Sequence, residues 1–184
     1  MTQLELPSEV QAVVQNFLTC EFTTLGKGGR PITWPTLPTF WPERGQFVVA
    51  SPAALSQKAA NVRRDPRVSL LYSNPTGSGL RHPPAVLVQG EAQSPEGVVT
   101  GTAGLEPGLV ACLAEQGRRL LRTQPGMRLY LANQLTRAIM EWYFIRVFIY
   151  VTPLRITWWP GGDWETSPQV VEAPYVGANR EIPA

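Results

Sequence analysis

The chain has 184 residues with 16 Lys and Arg against 14 Asp and Glu, and its formal charge of +2 is too small to imply a polyanionic partner; 43% hydrophobic content suffices for one sizeable core. Two lone cysteines and one histidine exclude a His-rich or thiolate metal centre. No run reaches the ~20 apolar residues of a membrane helix, and MTQLELPSEV lacks the apolar core of a secretory signal, so a cytoplasmic protein without a membrane partner is expected. The basic clusters Arg63, Arg64, Arg67 and Arg118, Arg119, Arg122 come without any nucleic-acid-binding motif, and no nucleic-acid partner is expected.

In chain order, Pro7-Ser8-Glu9 opens a predicted helix to about Leu18, with Val10, Val13, Val14, Phe17 and Leu18 on one stripe. Residues 20–26 read as a strand, Lys27-Gly28-Gly29 as a tight turn, and Arg30 to Trp41 as a second strand. Pro31, Pro35 and Pro38 each remove a ladder donor, so this strand is expected at an edge, bulged, or facing something other than a neighbouring strand, such as a flat ligand. A strand over 46–50 follows. Ser51 then reads as an N-cap and Pro52 as the first residue of a helix running to about Arg64. Ser56 and Lys58 fall early in it, where unpaired N–H groups and a partial positive charge favour an anion. An ordinary solvated helix has the same composition.

Asp65-Pro66 stops that helix before a strand over 67–73, and the Gly/Pro-rich loop 74–84 holds His82, expected in solvent. Ala85 to Gln93 reads as a strand that two covered faces would suit, and Pro107–Arg122 and Met127–Glu141 as amphipathic helices. Trp142–Val151 and Leu154–Trp159 read as two closing strands split by Thr152-Pro153. The pattern is a mainly β domain over residues 1–165, six or seven short strands forming a small antiparallel barrel with α additions, and a C-terminal arm over 166–184. Cys20 and Cys112 are expected as buried, reduced thiols.

Gly29-Arg30-Pro31, the strand FVVAS, Ser56-Gln57-Lys58, Asn61, the stretch Arg64-Asp65-Pro66-Arg67-Val68-Ser69-Leu70-Leu71 and the strand end Gly90-Glu91-Ala92 resemble, in order and spacing, the pyridoxamine 5′-phosphate oxidase-like, FMN-binding split-barrel proteins. The resemblance implies a six-stranded antiparallel split β-barrel that forms a homodimer with FMN at the subunit interface. It implies that Thr33, Trp34, Pro35 and Thr36 lie along the flavin ring, that Ala50 and Ser51 lie near the ribityl chain and phosphate, and that Ser56 and Lys58, with Gln57 between them, hold the phosphate. Trp158 or Trp159 would either cover the flavin edge or pack in the barrel.

Two departures stand out. Trp34 occupies the place of the oxidase's phosphate-binding arginine, leaving a charge missing unless Arg30, Arg63 or Arg64 replaces it. The C-terminal ITWWPGGDW lacks the Arg-x-His pair that holds the pyridoxal substrate, so a substrate other than pyridoxamine phosphate is expected. The resemblance thus implies a flavin-dependent oxidoreductase with no catalytic side chain, acting on a small-molecule substrate or electron donor held near Trp34, Phe40 and Trp41, with a deazaflavin coenzyme as the alternative occupant. The other reading is a non-catalytic flavin-, deazaflavin- or haem-binding stress or redox module, in which His82 would be the only imidazole available to haem.

Overall fold

Prolines decide where the long second strand breaks. In the computed structural model, which describes residues 5–55, 57–102, 104–123 and 145–172, the segment expected as one strand divides into β2 (Pro31–Thr36) and β3 (Thr39–Trp41). Both belong to a single antiparallel sheet that also contains β1 (Cys20–Leu25), β4 (Gln46–Pro52), β5 (Arg67–Tyr72), β6 (Ala85–Gln93) and β8 (Ile145–Trp159), ordered β2-β1-β5-β6-β8-β4-β3. The short β7 (Val99–Thr100) and β9 (Gln169–Glu172) pair with β8. Although β2 and β3 stand at opposite ends of this order, only Leu37 and Pro38 join them. The Cα atoms of Thr36 and Thr39 are three steps apart along the chain and so at most ~11 Å apart, and the sheet must curl until its edges come together. The chain, not a hydrogen-bond ladder, bridges the seam, and the fold is a split barrel. The count exceeds six because of this break, the short β7, and β9, which lies in the segment expected as a C-terminal arm.

Helix α1 (Ser8–Asn16) buries Val10, Val13 and Val14 and is followed by buried Phe17, as its stripe requires. They join Phe22, Phe47, Val49, Leu70, Val88, Ile149 and Ile156 in the interior cluster; each such side chain contributes roughly 1.5–3 kcal/mol when fully buried. A second cluster, Trp41, Val48, Leu109 and Phe148, lies under α3 (Pro107–Thr123). Strand β4 therefore has two covered faces, Phe47 and Val49 inward and Val48 and Ala50 towards α3. Strand β6 is covered on both faces only at its start, and Gln89, Glu91 and Gln93 are exposed. Cys20 is buried and Cys112 half-buried, both free thiols. The helix expected over 127–141 lies outside the described residues. No helix among the described residues is long and apolar enough to cross a membrane.

Thr152-Pro153 does not end a strand. The 15-residue β8 is continuous, pairing with β4 through residues 146–151 and with β6 through residues 150–159. Proline's missing N–H is accommodated by a bulge: the β6–β8 register slips between Gln89 and Gly90, and Gly90 faces Pro153. A Cβ on Gly90 would lie 2.2 Å from the Thr152 carbonyl oxygen, a backbone atom that cannot step aside. Gly90→Ala is therefore expected to lower stability by roughly 1–3 kcal/mol. Gly117→Ala, in α3 where a Cβ meets nothing within 4 Å, is expected to raise it by roughly 0.5–1 kcal/mol. Denaturant midpoints of the two variants check the pair, and equal shifts would contradict the bulge.

Candidate functional site

The β4–β8 ladder sets the site. Ser51 and Pro52 continue β4, opposite Val147 and Arg146, so Ser51 is not a helix cap as its sequence context predicts: tertiary pairing overrides the local signal. A short 3₁₀ turn at Ala53–Leu55 then reverses the chain into α2 (Gln57–Arg64). Within α2, Lys58, Asn61 and Val62 share the inward face at helical spacing. Buried Asn61 donates through Nδ2 to the hydroxyl of buried Thr24 at 3.0 Å. Arg64 donates to Leu25 O at 2.6 Å and to Asn61 Oδ1 at 3.0 Å, and Arg63 to Ser94 O at 2.9 Å and Pro95 O at 2.7 Å. These bonds fix α2 against β1 and the end of β6.

The helix so fixed holds Lys58 at only 7% exposure. Its ammonium donates to Ser51 Oγ at 3.4 Å and stands 5.3 Å from the centre of the Trp34 ring. None of the ion pairs among the described residues involves Lys58. Burial lowers its pKa from the ordinary 10.5, because the charged form loses water. A cation–π contact contributes about 0.5–2 kcal/mol, while the desolvation penalty of a buried ion is several kcal/mol. The indole and hydroxyl thus compensate only part of the penalty, and the balance would be met by an anion.

Of the residues predicted for the site, the structure brings together Trp34, Ser51 and Lys58. Thr33 and Pro35 are exposed on the opposite face of β2, where Thr33 Oγ1 lies 2.8 Å from Thr23 Oγ1; Thr36 shares the face of Trp34 and donates to Cys20 O at 3.4 Å. Gln57 is exposed beside Lys58 in the first turn of α2. Ala50 is on the α3 side of β4. Trp158 is 5% exposed within the interior cluster, where its Nε1 has no partner among the described residues, while Trp159 packs on Trp164 at 4.7 Å. Ser56 lies outside the described residues. Of the candidates to replace the missing arginine, Arg63 and Arg64 hold carbonyl oxygens and Arg30 is exposed.

Sequence reasoning missed two features. Trp34 registers there as a lost charge, whereas its ring face contacts the lysine; and the Asn61–Thr24 bond that orients α2 has its only sequence signal in the Lys58/Asn61 spacing. The donor set of ammonium, hydroxyl and first-turn N–H groups fits a phosphate oxygen. Among the described residues no group of His, Cys, Asp or Glu side chains could hold a metal ion.

No family model and no curated protein sequence matches the chain. Solved structures do. A heme binding protein from Mycobacterium smegmatis superposes with a TM-score of 0.53 at 17% identity, over 92% of this chain and 60% of that one. A conserved hypothetical protein from Mycobacterium tuberculosis gives 0.53 at 23% identity, over 86% and 87%. A protein related to general stress protein 26, of the pyridoxinephosphate oxidase family, from Clostridium acetobutylicum gives 0.51 at 9% identity, over 89% and 92%. With its single curled sheet split between β2 and β3, the chain has the split-barrel fold of the pyridoxinephosphate oxidase family.

Proposed function

We propose that the chain is an FMN-binding oxidoreductase that works as a homodimer on a small molecule other than pyridoxamine phosphate. The observation that supports this most is the buried ammonium of Lys58, which lacks a carboxylate partner among the described residues and is flanked by Ser51 and the face of Trp34. Lys58 and Ser51 would hold the phosphate, with Ser56 as the resemblance implies, and the Trp34–Thr36 part of β2 would run along the ring. When bound, the flavin supplies hydride chemistry. The protein's part is to bind and orient it and to exclude water with β2, so no acid–base side chain is required. A deazaflavin coenzyme would use the same cation for its phosphate. The edge of β2 that no strand among the described residues pairs, where Pro31 and Pro35 lack N–H groups, suits a subunit contact or a flat ring better than a further strand.

A non-catalytic haem module is the second reading. It is supported by His82, the chain's one histidine, which lines a cavity of about 390 Å³ with Phe17, Leu80 and Trp164. The haem-binding fold neighbour is consistent with it. Added haemin should give a Soret band that His82→Ala removes if this reading holds, and none if the flavin reading stands alone.

Three outcomes test the flavin reading. Lys58→Ala should weaken FMN binding by roughly 1.5–3 kcal/mol, checked by quenching of flavin fluorescence. Lys58→Met, which keeps the volume and removes the charge, should stabilise the ligand-free protein by roughly 1–3 kcal/mol while abolishing stabilisation by FMN. The sign with pH follows. A lysine depressed on folding binds more protons in the unfolded chain, so its penalty is complete below its folded pKa and disappears as pH climbs past 10.5. The advantage of Lys58→Met should therefore shrink towards alkaline pH; an advantage that is absent or independent of pH contradicts the assignment. Light scattering at micromolar concentration should report a dimer, and a monomer would remove the subunit-interface site.

A further inference from the structure

On the outer side of β4 and β8, away from the interior cluster and Lys58, residues 95–100 with Gly104, Leu105 and the start of α3 line a cavity of about 370 Å³. Its walls include Trp41, Leu109, Phe148, Tyr150 and Val99. Phe148 and Tyr150, two apart on β8, point to the same face, their rings 6.3 Å apart and 28° from parallel. An apolar cavity of about 150 Å³ already admits benzene, and the volume here is within the range of small-molecule sites.

The polar groups gather at one place. Glu106 lines the cavity and is paired with Arg44, whose guanidinium lies 5.5 Å from the Trp41 ring centre. Tyr150 is close enough to Glu106 that its hydroxyl acidity is reduced, first by burial and then by that negative charge. A carboxylate has about four lone-pair sites, so Glu106 can accept from a ligand while it holds Arg44. At the mouth stands Val98, 58% exposed, the most exposed large hydrophobic side chain among the described residues. It is next to Gly97, whose φ of 137° is a conformation side chains rarely adopt.

We propose that this cavity is a second ligand site, separate from the Lys58 pocket, for a one- or two-ring aromatic molecule that presents an amino or hydroxyl donor to Glu106 and Tyr150. The aromatic walls recognise the flat apolar body, and the carboxylate selects a donor over an acid. An aromatic carboxylate would face Glu106 with like charge. The proposal does not depend on the flavin reading.

The test uses 2-naphthol and 2-naphthoate as probes, followed by ligand-observed NMR on the full chain. Saturable binding of 2-naphthol with at least tenfold weaker binding of 2-naphthoate is expected. Tyr150→Phe should reduce 2-naphthol affinity about threefold to tenfold, the loss of one hydrogen bond. Val99→Trp, on the short and half-exposed β7, should fill the cavity and abolish binding, whereas Val99→Ala should retain it. Lys58→Met, which removes the other pocket's charge, should leave 2-naphthol binding unchanged. No saturable 2-naphthol binding to the wild-type chain, equal binding of the two probes, or binding lost with Lys58→Met and kept with Val99→Trp would overturn the proposal. If Val99→Trp fails to fold, the probe preference and Tyr150→Phe still decide it.

Discussion

A cation taken out of water with no countercharge among the described residues is the constraint around which the site is arranged. Folding places Lys58 on the inward face of α2 because Asn61 and Val62, one turn on, must be inward too. The Asn61–Thr24 bond and the two arginine clamps hold the helix there. Among the described residues, what meets the ammonium is a serine hydroxyl and an indole face. Each is a partial remedy. Natural proteins accept such local instability where a ligand completes the arrangement, and the cost appears as stability forgone in the ligand-free chain.

The barrel's seam positions the indole that meets the ammonium. Leu37-Pro38 carries the chain from one edge of the sheet to the other, so among the described residues β2 is paired on one side only, with Trp34 on its half-buried face. The same logic governs β8, whose Pro153 is tolerated because Gly90 lets the two backbones approach. Proline is thus placed twice where the ladder has to yield, once to open the barrel and once to bend it.

Most of the fold was legible because its signals are local: the α1 stripe, the turn glycines and the basic helix between two apolar strands. The misreadings share one cause. Ser51-Pro52 looks like a helix start and Thr152-Pro153 like a strand end, and in both cases the β4–β8–β6 ladder, a set of long-range pairings, overrides the local preference. The site was legible in its residue types but only partly in its geometry. Strand alternation sends Ala50 and Ser51 to opposite faces, and Trp158 turns inward among core residues, whereas Trp34 gains a role from a contact between elements some 24 positions apart in sequence. Spacing along the chain does not encode that contact.

The most direct measurement is an NMR titration of the Lys58 side chain, labelled at Cε, in the ligand-free protein and again with FMN. The account predicts a pKa below 10.5 without ligand and a rise when the phosphate arrives to balance the charge. A lysine that titrates at its ordinary value and does not respond to FMN would contradict it.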